Sequence, residues 1–196
     1  MKTVREFAEA NRKNHVVAVT YREVWQVGWE NPTEDWIVVN TDGVRKLNNT
    51  SGCGGVMRGR TGEWCGGVAR GLGDCEVVVA ELWGILEGLN HAWRLGFRRV
   101  ELRCESQIVV HMLNKEENIH PARWSMCTRI KRLLRLNWEV RICHTYREAN
   151  MCADALAHIG CELGNTLIFY ESCSTQIRYL VAPDAVGMST PRLVSL

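Results

Sequence analysis

The order in which strand-like and helix-like segments follow one another constrains the fold of this chain more than any other feature. Apolar residues at helical spacing predict a helix from about Glu76 to Leu95, and Gly96 stands at the usual stop position. Three strand-like segments precede this helix, the last two joined by a glycine-rich hairpin: Trp36–Asn40, Cys53–Met57 and Trp64–Ala69.

Strands and helices alternate after the long helix as well. Further strands are predicted at Arg99–Cys104 and Trp138–Cys143, with helical spacing between them at residues 108–113 and 126–134, and with a final helix at Cys152–Cys161. Strands that are joined both by hairpins and by helices imply a mixed sheet. The prediction is therefore an α/β domain with a five-stranded mixed sheet and helices on both faces.

Length and composition fit one domain of this kind. The 196 residues are 46% hydrophobic, which is enough for a single ordinary core. We expect a partly ordered leader over residues 1–35, the domain over residues 36–160, and an irregular or partly mobile extension over residues 161–196. The formal net charge of +2 is too small to attract a polyanion by itself, so a nucleic-acid surface would have to be a local patch.

The cysteines and the apolar segments indicate the compartment. The nine cysteines are an odd number without a Cys-x-x-Cys pair, which argues against a disulfide framework and against a zinc site. No segment has the apolar length of a signal peptide or a membrane span. We expect an intracellular monomer, in the nucleus or the cytoplasm, without a membrane partner.

Four acidic residues fall where the predicted topology can gather them. They lie on the first strand, in the first helix, just past the fourth strand and at the start of the last helix: Asp42, Glu81, Glu105 and Asp154. Clustered carboxylates supply the oxygen ligands that Mg²⁺ prefers. Two such ions would activate water and stabilise the leaving oxygen in phosphodiester cleavage.

Most of these acidic residues also have a simpler interpretation. Aspartate in Thr-Asp-Gly is a common turn residue, and Asp154 could merely favour the positive end of a helix. Glu105 could be no more than part of a helix start. Glu81 is harder to dismiss because Gly84 and Gly88 share its face of the helix, which lets that face approach another element closely.

A histidine stands near these acids in sequence. His144 ends the fifth predicted strand, where a histidine most simply bonds to the backbone. It precedes Asp154 by ten residues, across a loop, so both side chains could face the same end of the sheet.

Together these segments resemble the ribonuclease H family, in detail the RNase H-like domains of plant non-LTR retroelement reverse transcriptases. The resemblance covers about two thirds of the chain, and the matching segments follow one another in the family's order. They are Trp36–Gly43, Gly52–Met57, Ala80–Leu89, Val100–Ser106 and His144–Ala157.

The resemblance implies an endonuclease that hydrolyses the RNA strand of an RNA/DNA hybrid with Mg²⁺ or Mn²⁺ by a two-metal-ion mechanism. It implies that Asp42, Glu81, Glu105 and Asp154 are metal ligands and that His144 assists turnover. It also implies substrate contacts from Gly43, Asn49, Gly52, Cys53, Gly54, Gly55 and Ser106. Close approach to RNA is reasonable at the glycines, because glycine has no side chain to hold a sugar away, and the 2′-hydroxyl distinguishes RNA from DNA.

Two departures from the family pattern matter. The third acidic position is aspartate in the family and glutamate here, and the extra methylene displaces the carboxylate by about 1 Å, which can cost about a hundredfold in rate. Arg103 could also compete for Glu105 as an ion pair. The span Lys115–His120 is short and acidic where some ribonucleases H carry a basic insertion. Substrate contacts could come instead from residues that could equally form a solvated helix face, namely Arg123, Arg129, Lys131, Arg132 and Arg135.

Two alternatives stay open beside the nuclease. The chain could be a catalytically weak or inactive domesticated retroelement fragment that binds nucleic acid, and Glu105 is the residue that favours this hypothesis. A cysteine hydrolase that uses Cys143 or Cys152 with His144 is disfavoured, because Cys143 and His144 are adjacent on a strand and point to opposite faces.

Overall fold

The computed structural model describes residues 22–33, 35–115 and 121–195. The strands in these ranges are β1 (Arg22–Gly28), β2 (Ile37–Arg45), β3 (Ser51–Arg58), β4 (Trp64–Gly73), β5 (Arg99–Cys104), β6 (Glu139–His144), β7 (Leu167–Tyr170) and β8 (Ser189–Ser195). The helices are α1 (Val77–Arg94), α2 (Gln107–Asn114), α3 (Pro121–Leu134), α4 (Met151–Gly160) and α5 (Arg178–Ala185).

The main sheet is mixed and has the order β6-β5-β2-β3-β4-β7. Strands β2, β5 and β6 run parallel, while β3, β4 and β7 pair antiparallel with their neighbours. The α/β class with a mixed sheet is confirmed, but the sheet has six strands among the described residues and not five. The additional strand is β7, which comes from the C-terminal extension and pairs with residues 67–70 of β4.

Strand β2 continues beyond the predicted end at Asn40. Asp42 pairs with Gly54 and Gly43 pairs with Cys53, so the hydrogen-bonded ladder carries the Thr-Asp-Gly segment on to Arg45. The interpretation of Asp42 as an ordinary turn residue is therefore wrong. Its position inside a central strand gives its side chain a fixed direction.

The two ends of the described chain form a second sheet. Strand β1 lies in the expected leader and pairs antiparallel with β8 from the extension, in a register that places Trp25 opposite Arg192. The expectation of an irregular extension is wrong, because residues 161–196 supply β7, α5 and β8. Residues 1–21 of the expected leader, and residue 34, lie outside the described part of the chain.

Helices cover both faces of the main sheet, as predicted. Helices α1 and α3 bury the larger apolar cluster against one face, with Leu82, Ile85 and Leu89 of α1 fully buried. Helix α4 packs on the other face, where Leu156 and Ile177 belong to a smaller cluster. Burial of each such side chain stabilises the fold by about 1.5–3 kcal/mol, and together these clusters fix α1 and α4 against the central strands.

All nine cysteines are free thiols in this fold. In the described ranges, no helix combines the length and the apolar character needed to cross a membrane.

Candidate active site

The carboxyl ends of three parallel strands bring predicted site residues to one edge of the main sheet. Thr41 of β2 is in register with Cys104 of β5, and Cys104 is in register with His144 of β6. Asp42 and Glu105 directly follow the first two of these residues in sequence. The sheet therefore places Asp42, Glu105 and His144 along the same edge.

Helix α1 adds Glu81 to this edge because three glycines, one on β2 and two on α1, let the helix lie directly on the strands. A side chain at Gly43 would collide with the backbone of Glu81, and a Cβ at Gly84 would lie 2.7 Å from the carbonyl oxygen of Asp42. At Gly88 a Cβ would lie 2.9 Å from Cγ2 of Thr41. The close approach that the glycines predicted for the face of Glu81 is confirmed.

The Glu81 carboxylate has two hydrogen-bond donors within the site. The backbone N–H of Gly43 donates to it, and the Cys104 thiol donates to Oε2 at 3.5 Å. Glu81 is only 6% exposed, the same fraction as Asp42. Both carboxyl groups thus lie beneath the surface at the edge of the sheet.

Helix α4 contributes Asp154 from its first turn. The Asp154 side chain shares a hydrogen bond with the Asp42 carboxyl group. On its outer side Asp154 Oδ1 lies 3.7 Å from His158 Nε2 and 3.8 Å from Arg147. Asp154 therefore connects the buried part of the site with the solvent.

Three of the carboxyl groups, those of Asp42, Glu81 and Glu105, have a raised pKa. Burial raises the pKa of Asp42 to about 9, with further contributions from Glu81, Asp154 and Glu105. Burial raises the pKa of Glu81 to about 7, and Glu105 adds to this shift. Burial also raises the pKa of Glu105, with Arg147 opposing the shift. The negative charge of the group is only partly compensated by the neighbouring cations.

A divalent cation fits this group by its chemistry. The donors are carboxylate oxygens, which hard cations prefer, and a positive ion would remove the cost of ionising Asp42 beside three other acids. Across residues 22–33, 35–115 and 121–195, no three His, Cys, Asp or Glu side chains form a ready-made metal site. The side chains are thus gathered at the edge without being preset as a complete shell of ligands.

A buried polar network that the sequence did not reveal fixes the elements behind the carboxylates. The Asn40 side chain accepts from Trp29 Nε1 at 3.0 Å and donates to Asn150 Oδ1 at 3.1 Å. Asn150 in turn donates to the carbonyl oxygen of Thr41 at 3.2 Å. Both asparagines are fully buried. In the sequence, Asn40 stands at the end of an apolar segment and Asn150 in the predicted loop before the last helix, so neither position indicated the network.

The network continues into the leader and the extension. Arg58, which is 1% exposed, forms a 2.6 Å ion pair with Asp184. The Arg58 guanidinium also stacks 4.0 Å above the ring of Trp29. The segment before β2 and helix α5 are therefore joined to the strands that carry the site.

Two of the glycines of β3 that we predicted to contact the substrate have a packing role in the fold. A Cβ at Gly52 would lie 2.6 Å from the carbonyl oxygen of Ala157, and a Cβ at Gly54 would lie 2.6 Å from Cβ of Leu156. Gly55 and Cys53 are buried as well. The explanation that these glycines leave room for a sugar is wrong for Gly52 and Gly54, where the space is filled by helix α4.

The other predicted substrate contacts lie at element ends. Asn49 is exposed in the turn between β2 and β3, has a φ of 64° and accepts a hydrogen bond from Arg45. Ser106 is the N-cap of α2, where its hydroxyl accepts from the backbone N–H of Val109 at 3.4 Å. The capping of α2 gives Ser106 a structural role in addition to the predicted one.

Arg103 does not compete for Glu105. Its guanidinium lies 2.6 Å from Glu101 and donates to the carbonyl oxygen of Glu30 at 2.9 Å. The cations that act on Glu105 are Arg147 and Arg192, of which the second belongs to β8. The expected ion pair between Arg103 and Glu105 is therefore wrong.

The basic residues that could contact the substrate differ in their surroundings: one pairs with an acidic residue and others are exposed to solvent. Arg123 pairs with Glu76 at 3.0 Å, whereas Arg129, Arg132 and Arg135 are exposed. Of the short acidic span, residues 116–120 lie outside the described part of the chain.

The cysteine-hydrolase alternative loses support in the structure. Burial raises the pKa of Cys152 to about 12, and the thiol donates to Asp184 at 3.6 Å. Burial raises the pKa of Cys143 as well. A nucleophilic cysteine needs the thiolate form, which both environments disfavour.

Comparison with known proteins agrees with this architecture. The family described as "Reverse transcriptase-like" matches residues 40–160. The Arabidopsis thaliana protein named "Putative ribonuclease H protein At1g65750" is 36% identical over 204 residues, which include this whole chain and 33% of that protein. The chain thus spans about a third of the length of this relative.

Solved structures show the same fold. RNase H1 from the halophilic archaeon Halobacterium salinarum superposes with a TM-score of 0.61 at 25% identity, over 65% of this chain and 98% of that chain. LC11-RNase H1, solved in complex with an RNA/DNA hybrid, superposes with a TM-score of 0.59 at 22% identity, over 64% of this chain and 96% of that chain. The family match and the RNase H fold of the sheet and its helices together show that the chain belongs to the reverse transcriptase-like family and contains an RNase H-like domain.

Proposed function

We propose that this chain hydrolyses the RNA strand of RNA/DNA hybrids endonucleolytically. Divalent cations would be held at the carboxylate edge, which is the edge of the main sheet where Asp42, Glu81, Glu105 and Asp154 lie. The observation that carries the proposal is the gathering of Asp42, Glu81, Glu105 and Asp154, where burial and the repulsion among these acids raise the pKa of Asp42 to about 9. Strongly shifted pKa values in a group of close acids are typical of functional sites. The hybrid complex of LC11-RNase H1 supports the substrate class.

In this proposal all four acids of the carboxylate edge hold the cations: Asp42, Glu81, Glu105 and Asp154. Two bound Mg²⁺ or Mn²⁺ ions would supply an activated water and stabilise the leaving 3′-oxygen. The products would be a 3′-hydroxyl and a 5′-phosphate. The burial of Asp42 and Glu81 keeps solvent from solvating these carboxylates, so they bind a cation more strongly than exposed carboxylates would.

We propose that His144 assists turnover at the same edge of the sheet. It lies at the end of β6 in register with Cys104, and its ring packs edge-on against Tyr146 at 5.2 Å. This contact orients the imidazole without burying it completely. We propose that His144 moves a proton to or from the departing product.

A second function, binding of hybrid without cleavage, is favoured by one feature. Glu105 replaces the aspartate of the family, and its longer side chain displaces the carboxylate by about 1 Å. A carboxylate displaced in this way could still contribute charge to binding while lowering the rate of cleavage.

The proposal is tested with a panel of end-labelled substrates and the purified chain in Mg²⁺ and in Mn²⁺. We expect cleavage of RNA in the RNA/DNA hybrid, with little or no cleavage of single-stranded RNA, double-stranded RNA or double-stranded DNA, and with 5′-phosphate ends on the products. Tight binding of the hybrid without cleavage in either metal would favour the second function.

A further inference from the structure

A cavity that shares only His144 with the proposed catalytic residues lies beside the carboxylate edge. It has a volume of about 300 Å³ and lies between β1 and the end of β6. Its walls include Trp25, His144 and Tyr146, and its polar lining includes Glu101 and Arg103. Trp25 is 40% exposed, so the cavity opens to solvent along an aromatic wall.

The rings of this wall are held in place by one another. Trp25 and Tyr146 meet edge-on at 6.5 Å, and His144 and Tyr146 meet edge-on at 5.2 Å. The guanidinium of Arg192 lies 4.5 Å above the Tyr146 ring, where Glu148 accepts its hydrogen bonds at 2.8 and 2.9 Å. The aromatic surface is thus fixed before any ligand arrives.

The second sheet brings this aromatic wall close to the carboxylate edge. Trp25 of β1 is paired with Arg192 of β8, and Arg192 is one of the cations that act on Glu105. His144 belongs both to the cavity wall and to the carboxylate edge. A nucleic-acid strand at the carboxylates would therefore pass within reach of the cavity.

We infer that this cavity binds an unpaired nucleobase of the nucleic acid beside the carboxylate edge, stacked on the ring of Trp25 and met edge-on by the ring of Tyr146. The inference rests on the proposed function, because a strand at the carboxylates supplies the nucleobase. Aromatic side chains bind bases of any identity through their π-faces. The Glu101–Arg103 ion pair, at 2.6 Å, presents an acceptor and a donor to the edge of a base.

The test measures the binding of two hybrids that differ in one feature. Fluorescence anisotropy with the Asp42→Asn chain, which should not cleave, compares a blunt RNA/DNA hybrid with the same hybrid carrying short single-stranded overhangs. Since stacking of one base stabilises a complex by about 1–3 kcal/mol, the overhang should tighten binding roughly 5- to 150-fold. Trp25→Ala or Tyr146→Ala should remove most of this gain.

Matched variants separate stacking from loss of folding. Trp25→Phe keeps an aromatic ring and should keep most of the gain, whereas Tyr179→Ala removes a tyrosine that is 68% exposed on α5 and should leave the gain unchanged. Thermal unfolding of each variant shows whether the fold is retained. An equal affinity for blunt and overhanging hybrids, or a gain that survives Trp25→Ala and Tyr146→Ala, would overturn the inference.

Two further arms identify the source of the base and keep this inference separate from the proposed function. Quenching of tryptophan fluorescence by a single-stranded oligonucleotide, reduced in Trp25→Phe, would support the cavity even if no hybrid were cleaved. Quenching by adenosine monophosphate as strong as that by the oligonucleotide would overturn the assignment to a nucleic-acid strand. If wild type cleaves hybrids but overhangs add nothing, only the inference fails.

Discussion

The side-chain amide of Asn40 donates a 3.1 Å hydrogen bond to Oδ1 of Asn150, and this bond ties the strand that carries Asp42 to the start of the helix that carries Asp154. Asn150 returns a hydrogen bond to the backbone of β2 at Thr41. The two asparagines thus set the separation of two proposed metal ligands without touching the metal themselves.

We expect Asn150→Ala to lower both stability and activity. The substitution removes the side-chain donor to the Thr41 carbonyl and leaves the Asn40 amide with only its 3.3 Å bond to the carbonyl oxygen of Ala149, which costs about 1–3 kcal/mol. Because Asp42 and Asp154 would no longer be held together, kcat should fall well below the wild-type value at temperatures where the variant is fully folded. Thermal unfolding and steady-state cleavage measure the two effects. The exposed Asn165→Ala is the matched control, and an Asn150→Ala chain that cuts at the wild-type rate would refute the positioning role.

The raised pKa of Asp42 makes the metal-free protein less stable at higher pH. The folded state keeps the proton up to a pKa of about 9, while the unfolded state releases it near 3.8. The folded state therefore binds more protons in this window, and the contribution of Asp42 to stability falls as pH rises from about 4 to about 9. Asp42→Asn removes this dependence. In the presence of a chelator, the unfolding temperature of Asp42→Asn should rise relative to that of wild type as pH increases.

Addition of a divalent cation provides the control for this pH effect. Mg²⁺ or Mn²⁺ should raise the unfolding temperature of wild type, because an ion that binds only the folded state stabilises it by mass action. The same addition should have little effect on Asp42→Asn. A constant difference between the two chains at all pH values in chelator would contradict the assigned electrostatics.

Glu105→Asp should increase the cleavage rate. Shortening the side chain moves its carboxylate by about 1 Å toward the position that the family uses, and a correction of this size can be worth up to about a hundredfold. Single-turnover cleavage of the hybrid measures the gain. Asp42→Glu introduces the opposite change at a buried ligand and should lower the rate. If Glu105→Asp were no faster than wild type, the longer acid would have to be equally competent.

Asp184→Asn should destabilise the fold far more than an equivalent change at the surface. It would leave Arg58 buried without its anionic partner, at a cost of about 3–5 kcal/mol. Asp74→Asn is the matched control, because Asp74 pairs with Arg45 at 2.8 Å where both side chains are exposed. The loss there should be about 0–1 kcal/mol. Denaturant unfolding measures both, and similar losses would contradict the assigned burial.

The sequence predicted the strands and helices whose pattern of apolar residues is regular within the element itself. Strand β5 has the predicted bounds, Arg99–Cys104, and α1 begins and ends one residue inside its predicted range. These segments alternate or repeat clearly and have turn residues at their ends. Apolar periodicity is enough to identify such elements because their buried face is continuous.

The elements that escaped prediction depend on distant partners. Strand β7 has only four residues and exists because it extends the sheet beside β4. Strand β1 pairs with β8 across more than 150 residues of sequence, and neither segment has a strong pattern alone. Strand pairing over such a separation is set by tertiary contacts, which a local pattern does not encode.

The sequence suggested that the four carboxylates meet, but it did not suggest the hydrogen-bonded asparagines that lie behind them. Asp42, Glu81, Glu105 and Asp154 fall at element ends or beside glycines, so the topology alone suggests their meeting. Asn40 and Asn150 look unremarkable in sequence because their partners come from other elements. The sequence singled out the glycines of β3, but it did not show that α4 would occupy the space beside Gly52 and Gly54.

Cleavage of a labelled RNA/DNA hybrid by the purified wild-type chain, beside Asp42→Asn, tests the central claim most directly. With Mg²⁺ or Mn²⁺ we expect the wild type to cut the RNA strand at internal positions and the variant, although folded, to leave it intact. Binding of the hybrid without cleavage in both metals, or equal cleavage by the two chains, would contradict the assignment of the carboxylate edge as a nuclease site.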